Sequence, residues 1–185
     1  FEPQANEKDI KIIFKNLEKF LNPLIDQIIE KQKNEEMLSI NNLMTQEQQK
    51  EIGLFLMKKI GFDFTRGRLD TSQHPFCGGA YQDIRITTRY NEKDPFSSLE
   101  GIMHETGHAM YELNLPSKWK YQPAGQSRGM AMHESQSLLI EMQITRSKAF
   151  KKFLSGVLKN NFNFIEACWN TENIYKIGTR VNKSY

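Results

Sequence analysis

The sequence predicts a mainly α-helical domain with a small β-sheet beside one of its helices. Apolar residues recur at helical spacing along most of the 185 residues, as they do in helices that bury one face. One short segment instead alternates β-branched and polar residues with a period of two, which is typical of a strand. The length suits one domain rather than two, and no internal repeat divides it.

Two helices are predicted before residue 62. Residues 9–33 carry apolar side chains at helical spacing, with lysines and glutamates on the outer face and Pro23 as the place where the helix can bend. Thr45 begins a second helix, because its hydroxyl can cap the first turn and Gln48 stands three residues later, in the position of a capping box. This helix is expected to end near Gly61.

A strand is predicted next. Between residues 62 and 90, glycines and Pro75 indicate a looped region, which leads into the strand at 81–90. Because side chains alternate across a strand, Asp83, Arg85 and Thr87 are expected to share one face.

The remaining chain is predicted to be helical. Ser97 and Glu100 have the spacing of another capping box and predict the start of a helix that ends before Pro116. Three further helical segments are predicted at 130–146, 150–157 and 164–177. The first of these has three side chains suited to a core face, namely Leu138, Leu139 and Met142.

The composition is that of a soluble globular protein, with 38% hydrophobic residues and a net charge of +3. The lysines are dispersed, so a nucleic-acid surface is unsupported, and no apolar run is long enough to span a membrane. Cys77 and Cys168 lack C-x-x-C spacing, and no export signal is evident. We therefore expect free thiols and a cytoplasmic location. Because the sequence begins at Phe1 rather than Met, we expect a piece of a longer protein.

A candidate metal site lies in the helix predicted before Pro116. His104 and His108 are four residues apart, so both imidazoles lie on one helical face and can bind one ion. Zinc accepts imidazole nitrogen readily, and a catalytic zinc has three protein ligands plus a water. Glu105, beside the first histidine, is turned partly aside and suits the general base that takes a proton from this water. A polar helix face is the alternative for so short a pattern.

A third ligand is predicted from a later helix. The chain has four histidines, and His133 is followed directly by Glu134. If the connection at 114–128 turns the chain back, Glu134 reaches the two imidazoles and completes a His-His-Glu zinc site. His133 then points elsewhere, as a hydrogen-bond donor behind the ligands or toward substrate. A solvated helix face is the alternative explanation of Glu134.

The polar face of the predicted strand has two interpretations. Asp83 and Arg85 form an ordinary same-face ion pair, or Asp83 fixes Arg85 in a cleft where its guanidinium grips a carboxylate. His74, which precedes Pro75, lies either in a rigid turn or in a site loop. Cys77 is expected to pack rather than to act as a nucleophile, because no histidine pairs with it.

Four short motifs occur in a fixed order, HPF at 74–76, DIRIT at 83–87, HETGH at 104–108 and HESQ at 133–136. This order resembles the carboxypeptidase Taq family of metallocarboxypeptidases, of the thermostable carboxypeptidase 1 type. The resemblance extends over nearly the whole chain and is weakest in the first 45 residues. It implies a mainly α, zincin-like helical metallopeptidase fold with a small β-sheet beside the active-site helix. Residues 1–185 would then form a single partial catalytic domain, the central portion of a longer enzyme.

The resemblance also implies an activity and the residues that support it. Family members release single amino acids from peptide C-termini with broad specificity, are commonly homodimers, and use Zn²⁺, with Co²⁺ or Mn²⁺ as alternatives. Neither a nucleic-acid nor a membrane partner is implied. By position, His104, His108 and Glu134 match the metal ligands, and Glu105 matches the general base. Five further positions are expected to line the substrate site, namely His74, Asp83, Arg85, Thr87 and His133.

The sequence departs from the family pattern chiefly by being incomplete. The motifs I-R-x-x-A-D and G-x-x-Q-D-x-H-W are absent, as are the N-terminal helices that normally cover the groove. Groups that bind the terminal carboxylate and the oxyanion can therefore lie outside this chain, and the fragment alone can be inactive. Two alternatives stay open, a related endo-acting or dipeptide-releasing zinc oligopeptidase, and a helical interaction domain whose metal is structural.

Overall fold

The computed structural model describes residues 5–41 and 43–183, which contain six α-helices and one three-stranded sheet. The helices are α1 (Glu7–Gln32), α2 (Gln46–Lys59), α3 (Pro95–Leu113), α4 (Met130–Leu138), α5 (Lys148–Phe162) and α6 (Thr171–Thr179). The strands are β1 (Gly67–Thr71), β2 (Phe76–Ala80) and β3 (Asp83–Thr88). The predicted mainly helical architecture with a small sheet is confirmed. None of the described helices has the length and apolar character needed to cross a membrane.

Helix α1 is confirmed, with Pro23 inside it, but its apolar side chains are not buried. Phe14 is 66% exposed and Phe20 is 63% exposed. The second half of the helix contacts the end of the described chain, through an ion pair between Asp26 and Lys183 and through Gln32. The amide of Gln32 donates to the carbonyl of Val181 and accepts from its N–H, both at 2.8 Å.

Helix α2 begins as predicted. The Thr45 hydroxyl accepts from the N–H of Gln48 at 3.2 Å, and the Gln48 side chain accepts from the N–H of Thr45 at 2.9 Å, which completes the capping box. The helix ends before Gly61, whose φ of +93° is a conformation that glycine adopts without strain.

The sheet has the order β1-β3-β2, with β1 parallel and β2 antiparallel to β3. Strand β3 confirms the predicted strand over a shorter range, but the prediction of loops before it is wrong for β1 and β2. Glycines at 78 and 79 lower the intrinsic strand signal of β2, and pairing with β3 supplies its order instead. Ile84 and Ile86 of β3 are buried, and this strand packs against α3 beside the motif.

Helix α3 begins earlier than predicted, and the capping box at Ser97 and Glu100 is wrong. The helix is capped by Asp94, whose carboxylate accepts from the N–H of Ser97 at 3.2 Å. Pro95 occupies the first turn, where its missing N–H and fixed φ cost nothing. The end of the helix at Leu113, before Pro116, is confirmed.

Helix α4 continues without a break into a π-helix over Leu139–Thr145, so the predicted helix at 130–146 is confirmed. The predicted core face is wrong, because Leu138, Leu139 and Met142 are all exposed. The face of this segment that meets α3 is polar, and Ser137 is completely buried there. Position in the fold, rather than hydrophobicity, decides which side is covered.

The last predicted helices are confirmed in part. Helix α5 extends beyond the predicted 150–157 at both ends, whereas the segment predicted at 164–177 becomes helical only from the short turn Ala167–Trp169 and α6. Phe164 and Trp169 are buried instead, with ring centroids 4.8 Å apart, and form part of the core behind α3.

Candidate metal centre

Two histidines of α3 and a glutamate of α4 meet at one point. The rings of His104 and His108 lie one helical turn apart, with centroids separated by 5.0 Å. The Glu134 Oε2 atom lies 3.2 Å from His108 Nε2 and 3.9 Å from His104 Nε2. The three potential ligand atoms all lie within 4.8 Å of one another.

This donor set fits a zinc ion. Tetrahedral ligands at roughly 2.0 to 2.1 Å from zinc lie about 3.3 Å from each other; the 3.2 Å separation between Glu134 and His108 matches that value, and the 3.9 Å separation between Glu134 and His104 is longer. Two imidazoles and one carboxylate also leave one tetrahedral position open, as in catalytic rather than structural zinc sites. His104, His108 and Glu134 are therefore the residues that would hold the ion.

Gly107 allows the two helices to approach closely enough for this arrangement. A Cβ atom at position 107 would lie 2.6 Å from Ser137 Cα and 2.7 Å from the carbonyl oxygen of Gln136. No side chain fits in this space, since both obstacles are backbone or directly attached to it. The glycine of HETGH thus brings the α4 backbone, and with it Glu134, against α3.

His104 is oriented by a residue that sequence analysis missed, Glu141. The His104 Nδ1 atom lies 2.8 Å from Glu141 Oε2, and because an ionised carboxylate can only accept, Nδ1 donates. That bond leaves Nε2 unprotonated on the side of Glu134, as a metal ligand requires. A signal was present in the sequence, because Glu141 stands seven residues after Glu134, which is two helical turns and the same face.

Glu105 lies beside the ligands but belongs to a more buried environment. Its side chain is only 8% exposed. Burial raises the pKa of Glu105 above its usual range, the Glu134 carboxylate adds to the increase, and His104 and His133 oppose it. A carboxylate with a raised pKa is a stronger base, which suits proton abstraction from a water.

His133 stacks on His108, a candidate ligand, and is not itself part of the His-His-Glu cluster. Its ring lies 4.5 Å from that of His108 at an angle of 28°, and its Nε2 donates to Glu112 Oε1 at 2.8 Å. Burial, followed by the nearby His133 and His104, lowers the pKa of His108. His108 therefore stays neutral at physiological pH, which is the form that binds metal ions.

Two cavities adjoin the candidate centre. One, of about 600 Å³, is lined by Glu105, His108 and Glu134 together with Phe76 of β2. The other, of about 340 Å³, follows β2 toward Tyr81 and Lys120. Both are lined by Cys77, Ser127 and His133. Two of the three candidate ligands, His108 and Glu134, therefore open onto a groove beside β2.

Four predicted site residues do not line either cavity, namely His74, Asp83, Arg85 and Thr87. Arg85 donates to Asp83 at 2.9 Å, and about half of each side chain is exposed. Both project from the face of β3 opposite to Ile84, which is buried. The Thr87 hydroxyl interacts with the Ser72 hydroxyl at 2.7 Å and donates to the carbonyl of His74 at 3.3 Å. Their role in substrate binding stays a prediction.

Comparison with known proteins places this geometry in context. The whole chain, residues 1–185, matches the family described as carboxypeptidase Taq (M32) metallopeptidase. Carboxypeptidase 1 of Bacillus subtilis is 36% identical over 151 residues, covering 81% of this chain and 30% of that protein. Thermostable carboxypeptidase 1 of Pyrococcus furiosus is 36% identical over 179 residues, covering 95% of this chain and 36% of that protein.

Solved structures agree with the sequence comparisons. Metallocarboxypeptidase 1 of Trypanosoma cruzi superposes with a TM-score of 0.94 at 38% identity, and the match covers 100% of this chain and 38% of that one. The carboxypeptidase structure from Pyrococcus furiosus superposes with a TM-score of 0.84 at 35% identity, covering 95% of this chain and 36% of that one. The chain thus spans about a third of the length of these relatives.

Proposed function

The chain belongs to the carboxypeptidase Taq (M32) family of metallopeptidases, and on this premise we propose that the complete protein is a zinc-dependent carboxypeptidase that releases single C-terminal amino acids from peptides. One observation carries the proposal. A buried carboxylate, Glu105, stands beside a His-His-Glu ligand set that opens onto a groove. A structural metal site has no need of an open groove or of a buried base.

The chemistry divides between the ion and the chain. A bound zinc ion would supply Lewis acidity, lowering the pKa of a water and polarising the scissile carbonyl. Glu105 accepts the proton of the attacking water and then delivers it to the amine of the departing amino acid. Burial keeps this carboxylate poorly hydrated and more basic than an exposed one. His133, held by Glu112, presents its ring to the same groove and is proposed to contact substrate.

The properties that the family implies extend the proposal. We propose broad specificity for the C-terminal residue and a homodimeric complete protein, with Zn²⁺ as the ion and Co²⁺ or Mn²⁺ as alternatives. Metal analysis of the purified protein and sedimentation equilibrium test these points directly.

The base assignment is tested by Glu105→Gln in the complete protein. We expect hydrolysis to fall by about a hundredfold to ten-thousandfold, the usual contribution of a general base to the rate, while bound zinc stays at one ion per chain. Glu51→Gln, which changes an exposed glutamate of α2, is the matched control and should behave as the unchanged protein. Normal hydrolysis by Glu105→Gln would show that another group is the base.

The exopeptidase assignment is tested with a pair of peptides that differ only at the C-terminus. The peptide with a free carboxylate should lose one residue at a time, and the amidated peptide should stay intact. An endo-acting oligopeptidase would cleave both peptides, and a dipeptide-releasing enzyme would give products two residues long. Mass spectrometry of a time course distinguishes the three outcomes.

A further inference from the structure

We infer that an ionic network, which begins at Glu141 and ends at the buried Lys151, positions His104 for metal binding. This ionic network consists of four side chains, in the order Glu141, Arg146, Glu100 and Lys151. The inference rests on the proposed metal centre and adds positioning residues to it that lie outside the ligand set.

At the first end of the ionic network, Glu141 is held from two sides. One carboxylate oxygen accepts from His104 Nδ1 at 2.8 Å, and the other accepts from Arg146 Nη2, also at 2.8 Å. A carboxylate bound at both oxygens cannot rotate without breaking one bond. Arg146 thus fixes the direction from which Glu141 meets His104, and with it the direction in which His104 Nε2 points.

The remaining members of the ionic network hold Arg146 in turn. Its guanidinium lies 3.6 Å from Glu100 Oε2, while Glu100 Oε1 accepts from Lys151 Nζ at 2.9 Å. Lys151 is completely buried, with 0% of its side chain exposed. Gly178 of α6 lies directly over this contact, since a Cβ there would be 2.5 Å from Lys151 Nζ. The Lys151 end of the ionic network is therefore sealed from solvent.

The charges of the four side chains in the ionic network alternate in sign and sum to zero. Glu141 and Glu100 are negative, and Arg146 and Lys151 are positive. Lys151, the fully buried charge, is thus paired with Glu100, as burial of a charged group demands, while Arg146 remains partly exposed. Without Lys151, Glu100 would be left in a covered site with Arg146 as its remaining partner. Arg146 would then be drawn toward Glu100 and away from Glu141, and the restraint on His104 would weaken.

The ionic network lies next to the candidate ligands rather than on the open surface. Glu100, an interior member of this ionic network, stands four residues before His104 on α3, so the network contacts the same helical face that carries His104. The other elements that contribute are the π-helical end of α4, which carries Glu141, and α5, which carries Lys151. By contrast, the pair Lys11 and Glu7 on α1 is about three-quarters exposed and contacts no site residue.

The first test is Arg146→Met in the complete protein. We expect the affinity for Zn²⁺, measured by competition with a chromophoric chelator at a temperature where the protein is folded, to fall by about tenfold or more. Losses of this size follow removal of groups that orient metal ligands. Arg146→Lys should recover part of the affinity, because it restores the positive charge but not the position of Nη2, the atom that contacts both Glu141 and Glu100. Arg89→Met, at an exposed arginine, should bind as the unchanged protein.

The second test separates positioning from simple stability. Lys151→Met should weaken Zn²⁺ binding, and the double change Glu100→Gln with Lys151→Met should restore it, because no unpaired charge then competes for Arg146. Lys152→Met, at the adjacent exposed lysine, is the control. If the ionic network only stabilised the fold, the substitutions would lower the melting temperature of the zinc-free protein and leave its Zn²⁺ affinity unchanged. That result would overturn the inference.

A ligand variant keeps the two proposals distinguishable. Glu134→Ala should abolish tight Zn²⁺ binding. If it does so while Arg146→Met and Lys151→Met bind zinc normally, the positioning inference is wrong and the metal centre stands. If Glu134→Ala also binds normally, the metal centre is wrong, and the inference falls with it.

Discussion

Glu105 and Cys77 line the same cavity, and burial raises the pKa of both groups. The consequences differ because the two groups start from different values. For Glu105, a raised pKa makes the carboxylate a stronger base. For Cys77, burial and then the Glu105 and Glu112 carboxylates raise the pKa from 9.0 to about 12. The thiol therefore stays protonated and is not a nucleophile.

This difference predicts the reactivity of Cys77. With a pKa of about 12, roughly one thiol in ten thousand is ionised at pH 8. In the chelator-treated complete protein, iodoacetamide should modify Cys77 more slowly than Cys168, and the Cys77 rate should rise about tenfold for each pH unit between 7 and 10. Peptide mapping by mass spectrometry follows each cysteine separately. A Cys77 rate that levels off below pH 9 would contradict the assigned environment.

The same pKa shift has a defined effect on stability. Because the folded-state pKa of Cys77 lies above its ordinary value, protonation of this thiol favours the folded chain. The contribution is complete below pH 9.0 and is lost as the pH rises toward about 12.

At the scale of elements, the contact between α3 and α4 determines whether the candidate centre exists. Each helix carries only part of the ligand set, and neither part can bind an ion tightly alone. Gly107 lies where the two backbones are closest. Thr106, beside it, is fully buried and donates to the carbonyl of Ile102 at 2.6 Å, so its hydroxyl is satisfied within α3.

A pair of glycine substitutions on α3 tests this contact. Gly107→Ala should lower the free energy of unfolding by about 1 to 3 kcal/mol, the usual cost of overpacking, and should weaken Zn²⁺ binding because Glu134 is pushed away. Gly101→Ala has no atom within 4 Å of the added carbon. It should instead raise the free energy of unfolding by roughly 0.5 to 1 kcal/mol through higher helix propensity.

Thermal unfolding of the chelated proteins and a zinc titration provide the comparison. Equal effects of the two alanine substitutions would show that α3 and α4 are not in tight contact at Gly107.

At the scale of the whole molecule, the core is not shared by all helices. The buried residues come from α2, the sheet, α3, α5 and the segment up to α6, and none of the described apolar residues of α1 is among them. The apolar stripe of α1 is as regular as that of any core helix, but the described part of the chain provides no surface for it. This chain covers about a third of its relatives' length.

The exposed stripe predicts an unusual tolerance. In the 185-residue chain, changing Phe14 and Phe20 together to Gln should alter the free energy of unfolding by no more than about 0.5 kcal/mol, as for other surface changes. Leu154→Ala in α5, where the side chain is 2% exposed, should cost about 2 to 5 kcal/mol. Chemical denaturation measures both. A large loss for the phenylalanine pair would show that α1 packs against another surface, such as a second copy.

Local pattern was sufficient for much of this protein. The four-residue spacing of His104 and His108, the capping box at Thr45 and the alternation in β3 each depend on a helical or extended backbone period within a few residues. Such periods are readable before any folding. The mainly helical fold and the strand beside the motif helix could therefore be predicted from the sequence, whereas the approach of Glu134 to the two imidazoles also required the connection at 114–128 to turn the chain back.

Other features depended on contacts between residues far apart in the chain. Strands β1 and β2 are ordered by pairing with β3 and carry weak signals of their own, and the chain of charges behind His104 joins α3 to α5 across 51 positions. The exposure of Leu139 and of the α1 stripe likewise follows from which surfaces meet. A sequence period shows that a helix has an apolar or a polar side, but only tertiary packing decides which side is covered, because burial is a property of two surfaces together.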